Sequence, residues 1–290
     1  TWRIIGQTLG QAVVGTAVAV LLGIPGAYLL YRCRFPGRGL LRAIVSVPFV
    51  LPTVGVGVAF RSLFAAQGPL GWLGLDESFA AIVVALVFFN YSVIVRTVGA
   101  LWSRLDPRAA EAATSLGASP LRVFLTVTLP AIAPAVLSGA SLVFLFCASA
   151  FGIVMVMGGV RFGTIETEIW YQTTQLLDLP AAAALSIVQL VVVVTALLIA
   201  GRARARAEHA LRLRGDDTAE RPWQARRDWA PTAITAALIV LLLGVPMVNL
   251  VLRSFATADG WGWRNYELLS TDGAGSLAVP VWTAAVNSLV

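Results

Sequence analysis

The sequence predicts an all-α, polytopic helical membrane protein, on three observations. Hydrophobic residues fill 58% of the 290 positions and charged residues only 12%, a balance foreign to water-soluble domains. Runs of about 20 apolar residues recur, each long enough to cross roughly 30 Å of hydrocarbon as a helix. Arginine supplies all 21 basic residues and crowds into alternate connections: four in 32–42, three in 103–122 and eight in 202–227, against none in 66–77 and one each in 158–180 and 254–280. That asymmetry puts the basic connections on the cytoplasmic side. About six full spans and the start of a seventh are expected.

The first span is expected over 6–31, with Gly23 and Pro25 placing a kink in its second half. It exits into Arg32, Arg34, Arg38 and Arg42, around the turn Phe35-Pro36-Gly37. The second, over 41–64, carries Pro48, Pro52, Gly55 and Gly57, the composition of a bent helix with a small face. A loop with Gly68-Pro69, Asp76 and Glu77 leads to the third span, 78–102, which holds the polar pair Asn90 and Tyr91. A fourth span is expected over 131–157, ending at Gly158-Gly159.

Between 160 and 180, Ile165, Ile169, Thr173 and Leu176 recur at helical spacing beside Trp170 and Tyr171, which predicts a short amphipathic helix at the interface. The fifth span, 181–200, has Gln189 as its only large polar group. The arginine-rich segment 201–228 reads as a cytoplasmic linker rather than a nucleic-acid site, because it lies between spans. A sixth span covers 230–252, a polar loop with Trp261 and Trp263 follows, and an incomplete seventh starts near Val281.

The most informative stretch is the polar interruption 106–130, DPRAAEAATSLGASPLRVFLTVTLP. Asp106-Pro107 and Ser119-Pro120 each read as an N-cap followed by proline at the first helical position, where its missing N–H costs little. Gly117, between them, suits a left-handed helix stop. A helix over 107–116, a sharp turn and a second helix from Pro120 are expected. Ala109, Ala110, Ala112 and Ala113 give the first helix a small-residue surface, and Arg108 and Glu111 sit at pairing distance in sequence.

Glu111-Ala112-Ala113, Gly117 three residues on, then Val127, Leu129 and Pro130 fit the pattern EAA-x3-G-x9-(I/V)-x-LP. In this the chain resembles the permease subunits of binding-protein-dependent ABC importers, whose cytoplasmic loop carries that motif. The resemblance implies the type I importer fold, residence in a bacterial inner membrane, ATPase subunits docking on the loop, and an extracytoplasmic protein that delivers the substrate. It implies a coupling surface made by Arg108, Glu111, Ala112, Ala113, Leu116, Gly117, Ala118, Val127, Leu129 and Pro130, and no cofactor.

Residues 281–290 open with a Trp and small and apolar residues much as residues 2–14 do, suggesting a second copy of the module. The expected organisation is a first module over 1–201 lacking its first helix, a linker over 202–229, and the truncated start of a second module over 230–290. The whole is expected to be a fragment of a longer protein. Fused two-module permeases of this layout resemble the iron(III) and thiamine importer type, implying that kind of cargo.

Other chemistries lack material. With no lysine, these residues hold neither a Walker A motif nor a Schiff-base site. Cys33 and Cys147 fall in a basic loop and an apolar span, so a mutual disulfide is not expected. His209, the only histidine, lies among arginines, leaving no His-based metal or triad site. The main rival is an ion-coupled secondary transporter, which would hold acidic or histidine side chains inside its spans; the expected spans contain none. An integral-membrane enzyme lacks a constellation at membrane depth. Asn90 and Tyr91 are candidates for lining the substrate path, with a helix–helix hydrogen bond as the alternative for Asn90.

Overall fold

The structure, a computed structural model, describes residues 2–159, 161–208, 220–257, 260–270 and 280–288. Three long helices form its centre: α1 (Trp2–Arg32), α4 (Phe79–Trp102) and α7 (Leu129–Ala148), each packed on the other two. Small residues allow that approach. A Cβ added at Gly23 of α1 would lie 2.5 Å from Ile94 Cγ2 of α4, and one at Gly26 would meet the Tyr91 hydroxyl. α4 starts where the Ser78 hydroxyl accepts a hydrogen bond from Ala81 N at 3.1 Å. It is buried along most of its length. α1 continues as helix through Pro25.

The second expected span is not one helix. α2 (Arg38–Ser46) passes into a 3-10 turn (Val47–Val50), and α3 (Thr53–Phe64) leaves it at 100°. The cause lies in the two prolines. Pro48 opens the 3-10 turn, and Pro52 forces Leu51 out of the helical region, to φ −71° and ψ 147°. Among the described residues, five helices are therefore long and apolar enough to cross a membrane, or six if the bent pair counts as one crossing.

The fourth span also differs from expectation. Helix α5 (Arg108–Ser115) is followed by α6 (Pro120–Val123), which runs through a π segment (Phe124–Thr128) into α7, so the apolar helix covers Pro120–Ala148. It stops at Ala148: the Ser149 N–H makes the last helical bond, to Leu145 O at 3.0 Å, and its backbone then leaves the helical region at φ −99° and ψ 19°. Residues up to Met157 form a separate short helix, α8 (Gly152–Met157), packed on α3.

α9 (Ile165–Thr174) begins at a capping box between Thr164 and Thr167. Buried Ile165, whose N–H donates to Thr8 Oγ1 at 3.0 Å, docks it on α1. Up to Arg202, where the arginine-rich segment begins, α10 (Leu179–Glu208) is almost wholly apolar and exposes most of its surface, as a lipid-facing helix does. α11 (Ala225–Ala237), a π segment (Leu238–Gly244) and α12 (Val245–Ser254) make one further apolar span, packed on α1 and α3 and beginning inside the expected linker. Both π segments end just before a residue-proline pair, Leu129-Pro130 and Val245-Pro246. An extra residue in the turn relieves the collision between a proline ring and the carbonyl four residues back.

Short β ladders interrupt the helical architecture: β1 (Cys33–Arg34) pairs in parallel with β2 (Arg221–Pro222), and β3 (Ala256–Thr257) pairs antiparallel with β4 (Gly260–Trp261). α13 (Arg264–Glu267) and α14 (Val281–Asn287) follow. Residues 209–219 of the linker, His209 among them, lie outside the described residues, as do 271–279 and the end of the expected repeat, 289–290.

Candidate functional site

The interruption folds as a capped helix–turn–helix. Asp106 Oδ1 accepts from Arg108 N at 3.0 Å, satisfying a free donor of α5's first turn. At the other end Gly117 has φ +84°. Its N–H donates to Thr114 O at 2.9 Å and Ala118 N donates to Ala113 O at 3.1 Å, the paired bonds of a Schellman stop. Ser119 then caps α6, accepting from Arg122 N at 3.4 Å. Both ends of α5 are thus held, one by the Asp106 side chain and the other by backbone bonds from Gly117 and Ala118.

No residue of α5 is buried. Arg108, Glu111, Ala112, Leu116 and Gly117 are exposed, and Ala113 and Ala118 partly so. Leu116 is 88% exposed, with Leu121 and Leu125 on the next turns also open. Arg108 and Glu111 form no ion pair with each other among the described residues, so the Glu111 carboxylate is free for a partner. Val127 and Leu129 are half-buried, at the end of the π segment and the start of α7. That segment packs against α5. Pro130 is exposed.

The other candidates sit elsewhere. Asn90 and Tyr91 are buried between α4 and its neighbours rather than on an open surface: Asn90 Nδ2 donates to Leu86 O at 2.8 Å and faces Cys147 Sγ, and Tyr91 packs over Gly26. Gln11 Nε2 donates to Cys147 O at 2.8 Å in the same interface. Such contacts hold membrane helices together.

A model of the binding-protein-dependent transport system inner membrane component family matches residues 15–208. The chain belongs to that family. As an inner membrane component it is a multi-pass permease, in keeping with its long apolar helices. The permease is 35% identical over 187 residues to the sulfate transport system permease protein CysT of Escherichia coli (strain K12), covering 62% of this chain and 68% of that one. It is 31% identical over 158 residues to the molybdenum transport system permease protein ModB of the same strain, covering 52% and 69%. A bacterial alginate ABC transporter, solved in complex with its alginate-loaded periplasmic protein, shares the fold at a TM-score of 0.58 and 20% identity, over 70% of this chain and 78% of that one. These relatives correct one expectation: their cargo is sulfate and molybdenum, not iron(III) or thiamine.

Sequence reasoning missed one buried cluster in the permease. Asp228 is fully buried at the start of α11. It accepts from the Tyr28 hydroxyl at 2.9 Å, from Gln224 N at 2.9 Å, and from Arg221, which also reaches Tyr28. Beside it Glu220 pairs with Arg38 at 3.0 Å and Arg34 at 3.5 Å. Burial alone would raise the Glu220 carboxyl, but hydrogen bonds and charge from these arginines outweigh it and hold it below the usual carboxylate range. The linker's C-terminal end is thereby fastened to the loop after α1. The only signal in the sequence is two acidic residues among arginines.

Proposed function

We propose that the permease forms the membrane path of an ATP-driven importer for a tetrahedral oxyanion of the sulfate or molybdate kind, handed over by an extracytoplasmic binding protein. The cargo of its relatives supports the substrate class. ATP hydrolysis falls to separate subunits, in keeping with the lack of any lysine.

The observation that carries the division of labour is α5, a helix fixed at both ends yet burying none of its residues. A surface helix that served its own chain would bury an apolar face. This one turns Ala109, Ala112 and Leu116 outward, small and apolar surface for an ATPase subunit, with Glu111 as a charged contact. Arg108, Ala113, Gly117 and Ala118 complete that surface, and Val127, Leu129 and Pro130 join it to α7. Motion of the ATPase is passed to the span through a turn with little slack.

In this reading the loop 103–130 and linker 202–229 are cytoplasmic, and 66–77 and 158–180 external, supported by the arginine asymmetry. The organisation into modules at 1–201 and 230–290 is supported by the full apolar span after the linker and the likeness of 281–290 to 2–14.

The test is uptake by the assembled complex in proteoliposomes, with its ATPase and loaded binding protein, of labelled sulfate, molybdate, iron(III) and thiamine. An oxyanion should accumulate in an ATP-dependent manner. A complex that hydrolyses ATP in response to its binding protein but carries neither oxyanion would sink the substrate reading.

A further inference from the structure

α4 is the most buried of the spans, yet past its first turn Arg96 and Ala100 are exposed. They lie one turn apart in the C-terminal part of the helix, below Phe89 and Val93, which are buried at 7% and 8% exposure. The opposite faces are covered: Gly99 and Val95 meet α1, and Thr97 meets α7. An opening of this kind on the innermost helix is a surface toward the centre of an assembly rather than toward lipid.

Arg96 is also without a partner. Arg61, in the last turn of α3, is by contrast paired with Glu77 at 3.6 Å and donates to Val156 O at 3.3 Å. Arg96 makes no hydrogen bond or ion pair among the described residues, and α4 contains no acidic side chain. It lies roughly 9 Å along the helix from Trp102, at 1.5 Å per residue. Side chains on a helix lean toward its N-terminus, which for Arg96 is the direction of the membrane interior. Charged groups at such depth face a bundle interior or a water-filled cavity.

We propose that Arg96 is a substrate-contacting residue of the path, its guanidinium offering paired N–H donors to two oxygens of the passing oxyanion. This rests on the oxyanion reading above. An unpaired cation suits a transient site, since a fixed carboxylate would compete with the cargo.

The experiment compares the wild-type complex with Arg96→Ala, Arg96→Gln and Arg96→Lys in proteoliposomes, measuring labelled uptake alongside ATPase stimulation by the loaded binding protein. Ala and Gln should lower oxyanion uptake roughly tenfold or more while ATPase stimulation stays at wild-type level; Lys should retain part of the uptake. Gln keeps the bulk and polarity of the site, so it decides the matter if the Ala variant fails to accumulate. Oxyanion uptake unchanged in both would overturn the role of Arg96 and leave the substrate reading standing. Equal loss of uptake and ATPase stimulation in all three variants would mark Arg96 as a folding residue and overturn the proposal. A wild-type complex that carries only a cation would overturn both readings.

Discussion

The Tyr28 hydroxyl and the Asp228 carboxylate meet at 2.9 Å although 200 residues separate them in the chain. This bond joins the end of α1 to the start of the span that follows the linker. Asp228 is fully buried, so removing it strands the donors around it.

The first prediction uses the neighbouring thiol as reporter. Cys33 is fully buried beneath the cluster, and burial pushes its thiol up to about 11, leaving little thiolate at neutral pH. Maleimide labelling of Cys33 should be slow in the intact protein. Asp228→Ala should cost about 1–3 kcal/mol and speed that labelling severalfold. Labelling unchanged by the substitution would show that the cluster does not hold β1 in place.

Glu220 sets the pH behaviour of the same attachment. Its carboxyl is held below the ordinary value, so its contribution is fully present above about pH 4.3 and fades only as pH falls through the depressed value. Cys33 protection should therefore be independent of Glu220 ionisation from pH 6 to 8. A difference in its pH profile between wild type and Glu220→Gln within that window would contradict the sign of the shift.

At the docking loop, Gly117→Val places a β-branched residue at φ +84°. The strain, at least about 1–2 kcal/mol, should open the turn and swing α5 without touching the apolar spans. Abundance should be normal, with ATPase co-purification and uptake both reduced. Gly117→Asn, which tolerates this region, should retain more, and Glu111→Ala should give a mild defect. Wild-type association and uptake in Gly117→Val would make the loop a plain connector.

Sidedness can be read from single cysteines at exposed positions in a background lacking Cys33 and Cys147. Gln67→Cys and Thr174→Cys should react with a membrane-impermeant reagent added outside, and Ser115→Cys only after permeabilisation. Equal labelling of all three from one side would overturn the topology.

Helix packing offers an internally controlled comparison. Gly23→Ala puts a Cβ 2.5 Å from Ile94 Cγ2, so α1 and α4 must part, at a cost of about 1–3 kcal/mol. Gly10→Ala on the same helix meets nothing within 4 Å. Thermal unfolding in detergent should fall for the first and hold for the second.

Helix α5 was legible as a helix because its determinants are local: Asp-Pro, Gly and Ser-Pro specify caps and a stop within a few residues. α4 was legible from its apolar length. The second span was misread because continuous hydropathy over 41–64 outweighed Pro48 and Pro52, whose joint effect is a right-angled break. The early end of the fourth span falls at Ser149, whose backbone leaves the helical region with no glycine or proline beside it to announce the stop. The cluster at Asp228 depends on β1 and β2 meeting although Cys33 pairs with Arg221 far along the chain, and such pairing leaves no local pattern.

The break at Leu51 has a consequence for the thickness of the barrier. The connections after α1 and after α4 are both basic, and placing both in the cytoplasm requires an even number of crossings from one to the other. In the proposed topology α4 is one, and the bent pair is the second rather than a loop that turns back. Its limbs measure roughly 21 and 18 Å at standard helical rises, and at 100° they reach only about 25 Å end to end. Hydrocarbon is roughly 30 Å deep. A crossing that falls short obliges water to enter from at least one side, and the freed carbonyls around the two prolines need that water or protein to bond to. In that topology the insulating layer beside this element would be thinner than the bilayer, and the membrane voltage would drop over a correspondingly shorter distance.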